Sequence, residues 1–194
     1  MLRLTCLILT LVACGDNKAR PPDASHNNTH SDSGSGSGGA LTLDCASYCG
    51  AIQTRCTGAV QQYASLQNCM DTCADFTAGA LTDMSGNTLG CRVAHTELAA
   101  DDPTTHCVHA GPSGGDTCGT TCEGFCAVAP VECPSEWTAN QCATRCGGIN
   151  SSPPYSTSST GNTIECRLYH LTMAATDPTN HCPHTVAMQN PICI

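Results

Sequence analysis

Apolar side chains occur in blocks along the chain, and the first block is short. It covers residues 4–12, follows a single positive charge at Arg3, and gives way to polar sequence at Gly15. A membrane-spanning helix needs about 20 apolar residues, so this block is too short to remain as a permanent span. The pattern predicts a signal peptide over residues 1–13 that is removed on export.

The second block has no apolar periodicity. Residues 14–40 are rich in asparagine, aspartate, serine and glycine, and they include a run in which serine and glycine alternate. Such a segment buries too little apolar surface to offset the entropy of ordering it. We predict a flexible tether, in which His26 and His30 are solvated.

Beyond the tether, the apolar positions follow an internal repeat that is set by cysteine spacing. Residues 43–118 and residues 119–194 contain eight cysteines each, with matching intervals except at two loops. Sliding residues 86–109 by 75 positions onto residues 161–184 gives 14 identities in 24 positions. The sequence therefore predicts two tandem copies of one unit, with the cysteines Cys45, Cys49, Cys56, Cys69, Cys73, Cys91, Cys107, Cys118, Cys122, Cys126, Cys133, Cys142, Cys146, Cys166, Cys182 and Cys193.

Cysteines four residues apart predict a pair of helices in each unit. Cys45 and Cys49 share one helix face, and so do Cys69 and Cys73. Two such helices packed antiparallel can be joined by Cys45–Cys73 and Cys49–Cys69, and a closed loop of this length contributes about 3 to 4 kcal/mol. The second unit offers the equivalent pairs, Cys122–Cys146 and Cys126–Cys142.

A third helix is predicted in each unit. Asn87 or Thr88 can cap its start, and Cys91, His95 and Leu98 then share one face at i, i+4 and i+7. An Asp-Pro pair follows and can begin a short helical turn. The predicted fold class is mainly α: a small disulfide-rich domain of two tandem repeats, each with a twin Cys-x-x-x-Cys helical hairpin plus a third helix.

Composition supports cross-links in place of a large core. Eighteen of 194 residues are cysteine, whereas aromatic residues are only 4%. An even eight cysteines per unit implies four disulfides in an oxidising compartment, although spacing leaves the remaining connectivity open. No free thiol is then left for nucleophilic chemistry, and no serine elbow, phosphate loop or dinucleotide fingerprint appears, so we expect no enzymatic activity. A formal net charge of −9 with only 7 Lys and Arg argues against nucleic acid as a partner.

The segment Leu11-Val12-Ala13-Cys14 resembles the lipobox of bacterial lipoproteins. The resemblance covers the first fourteen residues. It implies that Cys14 carries a diacylglyceryl thioether and an N-acyl chain such as palmitate. Such a protein would be anchored to the inner or outer membrane, with its domain in the periplasm or at the cell surface. The alternative is an ordinary secretory signal in which the cysteine is incidental.

The repeat is similar to a cysteine-rich module of predicted secreted proteins and lipoproteins of myxobacteria. The similarity rests on the motifs Asn-Thr-x-x-Cys-Arg-x-x-His and His-Cys-x-His, and it covers residues 43–194. It implies export and a shared fold, and it carries over no catalytic residue.

Recurring histidines are the one chemical lead. His106-x-x-His109 places two imidazoles within reach of one ion if the turn is helical, and His95 could complete a three-nitrogen site for zinc or copper. The alternative is structural, with His95 packed against disulfides and the other two satisfying backbone groups. Glu97 is a candidate general base beside such a site. The second unit repeats the three histidines as His170, His181 and His184.

Two further features are specific to the repeats. Arg92 and Arg167 follow the sixth cysteine of each unit and are expected to be solvated or paired with a nearby carboxylate. The glycine-rich residues 111–115 form a loop, and residues 185–191 occupy the same place in the second unit without those glycines. This variable loop is either a tolerant connector or a specificity site.

These patterns together predict a non-enzymatic exported lipoprotein, a disulfide-stapled binding or envelope-structural module without a cofactor. Its partners would be the membrane, through the lipid anchor, and a protein or glycan. The alternative is a metal-binding lipoprotein that uses the recurring histidines for zinc or copper.

Overall fold

The structure, a computed structural model, describes residues 40–151, 154–186 and 192–194. Within these ranges the chain forms eight α-helices and three short 3-10 turns, with no β-structure beyond a single bridge between Thr77 and Thr88. The predicted mainly helical, cysteine-rich fold is confirmed. The helices are α1 (Cys45–Arg55), α2 (Leu66–Cys73), α3 (Leu89–Leu98), α4 (Pro103–Ala110), α5 (Thr121–Glu132), α6 (Ala139–Cys146), α7 (Ile164–Ala174) and α8 (Pro178–His181).

The predicted signal peptide, residues 1–13, and the predicted lipidation site, Cys14, lie outside the described residues. All of the predicted tether except Ala40 lies outside them as well. Of the helices that are described, none is both long enough and apolar enough to cross a bilayer.

A helical hairpin opens each repeat. Disulfides Cys45–Cys73 and Cys49–Cys69 join α1 to α2, and these are the pairs that the cysteine spacing predicts. The second repeat joins α5 to α6 in the same way, through Cys122–Cys146 and Cys126–Cys142. Because two disulfides one helical turn apart join the helices of each hairpin, the hairpin needs little apolar surface to hold them together.

Two further disulfides hold the third and fourth helices of the first repeat in place. Cys56–Cys107 links the end of α1 to α4, and Cys91–Cys118 links α3 to the chain that follows α4. The second repeat has the equivalent pairs Cys133–Cys182 and Cys166–Cys193. All eight disulfides therefore close within one repeat, and the two repeats are joined covalently by the backbone alone.

Local sequence explains where the later helices begin. Thr88 Oγ1 accepts a hydrogen bond from the Cys91 amide at 3.1 Å, so Thr88 is the cap of α3. Asp102 caps α4, and Pro103 occupies its first turn, where no amide hydrogen is needed. The second repeat starts its corresponding helices with Thr163 and Asp177.

The described residues of the two repeats pack against each other as one compact unit. Gln62 donates a hydrogen bond from Nε2 to the carbonyl oxygen of Tyr155 at 3.2 Å, and Asn68 donates one from Nδ2 to Thr176 Oγ1 at 3.0 Å. Buried apolar side chains of both repeats belong to one cluster. The second repeat is thus part of the same core as the first.

Candidate metal centre

His95, His106 and His109 meet where α3 packs against α4. A ring nitrogen of each histidine lies within 4.8 Å of a ring nitrogen of the other two, and the ring centroids are 5.0 to 5.8 Å apart. His95 projects from α3, while the other two stand one helical turn apart on α4. The structure therefore brings together the three residues that the sequence proposes as ligands, and we call them the first histidine triad.

Hydrogen bonding orients the imidazole of His95. Its Nδ1 lies 3.0 Å from His106 Nδ1, and its Nε2 lies 3.3 Å from the carbonyl oxygen of Met84. A proton on Nε2 satisfies that carbonyl and leaves the Nδ1 lone pair directed into the triad. A backbone acceptor on the far ring nitrogen is a common feature of metal-binding histidines.

Burial favours the neutral form of these imidazoles. It lowers the pKa of His95 and of His109, and the charges of neighbouring imidazoles lower both further. Neutral imidazole is the form that binds a metal ion. At neutral pH the imidazoles of His95 and His109 are therefore favoured in the neutral form that binds metal.

One nitrogen of the triad is buried without a hydrogen bond. His109 Nδ1 has no hydrogen-bond partner among the residues that the structure describes. Leaving a buried polar atom in this state costs about 1 to 3 kcal/mol. A metal ion bound to this nitrogen would give it a partner and remove that cost in free energy.

A disulfide forms one side of the site. The sulfurs of Cys91 and Cys118 and a ring nitrogen of His95 all lie within 4.8 Å of one another. Because the two sulfurs are bonded to each other, they are not thiolates and do not act as metal ligands. The donor set is therefore three imidazole nitrogens, which suits zinc or copper and leaves a further coordination position open.

The second repeat reproduces the arrangement with His170 on α7, His181 at the end of α8, and His184 in the 3-10 turn Cys182–Thr185. His170 Nδ1 and His181 Nδ1 are 3.2 Å apart, and the ring centroids are 4.8 to 5.8 Å apart. Burial, together with the neighbouring imidazoles, lowers the pKa of His170 to about 4. We call this group the second histidine triad.

Glu97, the proposed general base, is engaged elsewhere. Its Oε1 accepts a hydrogen bond from the Leu41 amide at 2.5 Å. Thr172 stands at the equivalent position of the second repeat, and its hydroxyl donates to the Tyr169 carbonyl oxygen. Sequence reasoning found the histidines through their recurrence, but it missed the Met84 carbonyl because a backbone acceptor has no sequence signature.

Comparison with known proteins identifies a matching family. Residues 24–123 match the model of the family described as "BfoA family C-terminal domain". The match covers the whole first repeat, with the first histidine triad and its four disulfides. No solved structure matches this chain.

The curated relatives are fungal. The aurasperone B biosynthesis cluster protein A of Aspergillus niger is 39% identical over 71 residues, which are 36% of this chain and 23% of the relative. The bifonsecin B biosynthesis cluster protein A of Aspergillus brasiliensis is 40% identical over 81 residues, which are 41% of this chain and 27% of the relative. The chain thus spans about a quarter of the length of these relatives.

These findings show that the predicted membership among bacterial lipoproteins similar to myxobacterial proteins is wrong. The chain matches the BfoA family C-terminal domain, and the relatives named above are Aspergillus biosynthesis cluster proteins; these matches give no support to the lipid anchor or the envelope role. The repeat motifs that carried part of the expectation have a structural explanation. Their cysteines form disulfides and their histidines form triads, whereas the segment Leu11-Val12-Ala13-Cys14 lies outside the described residues.

Proposed function

We propose, on the premise that this chain belongs to the family of the BfoA C-terminal domain, that it is a disulfide-rich helical module that binds two transition-metal ions. One ion would be held by each histidine triad. The observation that carries the proposal is the recurrence of the same three-imidazole cluster, with nitrogens within 4.8 Å, in both repeats. Zinc and copper are the metals that such nitrogen donors favour. The role is one of binding, without an enzymatic reaction.

The disulfides support a location in an oxidising compartment outside the cytosol. Eight disulfides account for all sixteen cysteines of the repeats. Such bonds form and persist in the secretory pathway and beyond the cell, where thiols are not kept reduced. The names of the relatives support an accessory role beside a small-molecule biosynthetic pathway.

Metal analysis of the purified, oxidised full chain tests this proposal. The chain is loaded with zinc, passed through a desalting column, and analysed for zinc and for protein by mass spectrometry. We expect about two ions per chain from two three-histidine sites. Replacing His106 and His109 together by alanine should lower the count to about one, and so should replacing His181 and His184 together.

The matched control uses the histidines of the predicted tether. His26 and His30 lie outside both triads, so changing both to alanine should leave the zinc count unchanged. A count that stays at two in the first double variant, or that falls in the control, would show that the triads do not hold the metal. Copper loading repeats the comparison for the second candidate metal.

A further inference from the structure

A cavity of about 340 Å³ lies between the two repeats and reaches the first histidine triad. One wall comes from the first repeat and includes His109. The opposite wall comes from the second repeat and includes Ser151, Tyr155 and Glu165. This volume is at the lower end of the range for small-molecule sites, which starts at roughly 300 Å³, so it suits a molecule of one or two rings.

The loop of the first wall is held in an unusual backbone conformation. Gly114, Gly115 and Asp116 have φ angles of 71°, 52° and 61°, in the left-handed region that only glycine adopts freely. Gly115 packs directly on the site, because a Cβ atom there would lie 2.9 Å from His109 Cδ2. Asp116 is exposed and, unlike glycine, has a Cβ atom, so this backbone conformation costs free energy. The conformation places the Asp116 carboxylate on the cavity wall.

The second wall carries a buried carboxylate. Glu165 is 3% exposed, and its Oε1 accepts a hydrogen bond from Ser151 Oγ at 2.6 Å. The equivalent residue of the first repeat is Gly90, so this carboxylate belongs to the cavity and not to the repeated framework. Tyr155, which is 2% exposed, lies beside it on the same wall.

The chemistry of the walls indicates what the cavity can bind. Two carboxylates and several hydroxyls line it, whereas lysine and arginine are absent from its described lining. Carboxylates repel anions and accept hydrogen bonds, so a suitable ligand carries hydroxyl hydrogens that it can donate. A hydroxyl oxygen is also a ligand for zinc or copper when the metal has an open position.

We propose that this cavity binds a small polyhydroxylated molecule, with one hydroxyl oxygen coordinated to the metal ion at the first histidine triad and its hydroxyl hydrogens donated to Asp116 and Glu165. The proposal rests on the proposed metal-binding function and assigns a ligand class to one of its two sites. The loop of residues 111–115, whose glycine-rich sequence is not repeated in the second unit, is then the specificity element of the first site.

Catechol is the probe that tests this proposal. The starting protein is the full chain with His181 and His184 changed to alanine, so that any bound zinc is at the first triad, and its zinc content is measured in the same sample. Isothermal titration should show catechol binding to the zinc-loaded protein. Chelating the zinc should abolish the binding, and 1,2-dimethoxybenzene, which keeps the ring but donates no hydrogen bond, should bind at least ~10-fold more weakly.

Two cavity variants separate the ligand site from the metal site. Glu165→Gln and Asp116→Asn keep the size of each side chain, and asparagine tolerates a positive φ as aspartate does. Each should weaken catechol binding about 10-fold, because a neutral amide oxygen replaces the charged acceptor of a hydrogen bond, while the zinc count stays at one.

The possible results distinguish the two proposals. A zinc count of zero in the starting protein would overturn the metal-binding function, and the cavity inference with it. A zinc count of one without catechol binding, or with binding that both cavity variants leave unchanged, would overturn the cavity inference alone.

Discussion

Arg92 is a fully buried cation that is held by carbonyl oxygens. Its Nε donates to the Gly111 carbonyl at 3.2 Å, its Nη1 donates to the Thr88 carbonyl at 3.1 Å, and its guanidinium lies 3.9 Å from the centroid of the Phe76 ring. The expected solvated or carboxylate-paired arginine is therefore wrong. The side chain joins the start of α3 to the loop after α4. Its counterpart Arg167 is also fully buried and donates to the Thr163 carbonyl, but its Nε has no hydrogen-bond partner among the described residues.

Replacing Arg92 by methionine should lower the free energy of unfolding by about 3 kcal/mol. The methionine fills much of the volume, but it removes the guanidinium hydrogen bonds to Asn87 Oδ1 and to the carbonyls of Gly111 and Thr88, which then keep only their backbone donors. Urea unfolding with the disulfides intact measures the change. The control is Arg145→Met, which removes an exposed arginine lying over the Trp137 ring and should cost about 1 kcal/mol or less. Equal losses in the two variants would contradict this account of Arg92.

Two helical glycines show how closely the helices pack. Gly50 on α1 has open space around it, since a Cβ atom there would meet nothing within 4 Å. Gly124 on α5 is in close contact with the loop of the first repeat, because a Cβ atom there would lie 2.1 Å from the carbonyl oxygen of Pro112. The same residue type is therefore replaceable in one hairpin and required in the other.

These two glycines should respond to alanine with opposite signs. Gly50→Ala should raise the free energy of unfolding by about 0.5 to 1 kcal/mol, because alanine loses less entropy in a helix and clashes with nothing. Gly124→Ala should lower it by about 1 to 3 kcal/mol, because α5 must move away from Pro112. Thermal unfolding of the two variants measures both changes. Stabilisation by Gly124→Ala would show that the α5 contact is looser than the structure has it.

The elements themselves were largely predictable, for physical reasons that differ from one to another. Cysteines four residues apart fixed the hairpins, because only one antiparallel arrangement pairs them all. Asp102 and Pro103 marked the start of α4 through capping chemistry, which is local in sequence. Local sequence did not reveal the cavity wall at Glu165, because its position depends on how the second repeat packs against the first. The fold was thus more predictable than the surroundings of the site.

Two carboxyl groups meet across the boundary between the two repeats. Asp75 follows α2 of the first repeat, and Glu132 ends α5 of the second. Burial, together with the charge and the hydrogen bond of nearby Glu132, raises the pKa of Asp75 to about 7. Burial likewise raises the pKa of Glu132. The interface therefore favours a shared proton.

Because the folded protein holds this proton, its free energy of unfolding should fall as the pH rises. The folded protein holds the Asp75 proton up to about pH 7, whereas the unfolded chain releases it near its ordinary pKa of about 4. The folded state therefore binds more protons, and the contribution of Asp75 to stability falls between pH 4 and pH 7. Asp75→Asn cannot ionise, so it should become more stable relative to the original protein across that window. Urea unfolding of both proteins at several pH values measures the difference, and a difference that does not change with pH would contradict the assignment.

The closure of every disulfide within one repeat has a mechanical consequence. Tension applied to the two ends of the first repeat would enter at Cys45, cross directly to Cys73, run along the backbone to Cys91, and cross again to Cys118. The whole first histidine triad lies in the loop between Cys91 and Cys118, which this load path bypasses, and the second repeat is connected in the same way. Stretching the chain would therefore lengthen the linking segments and leave both histidine triads free of tension.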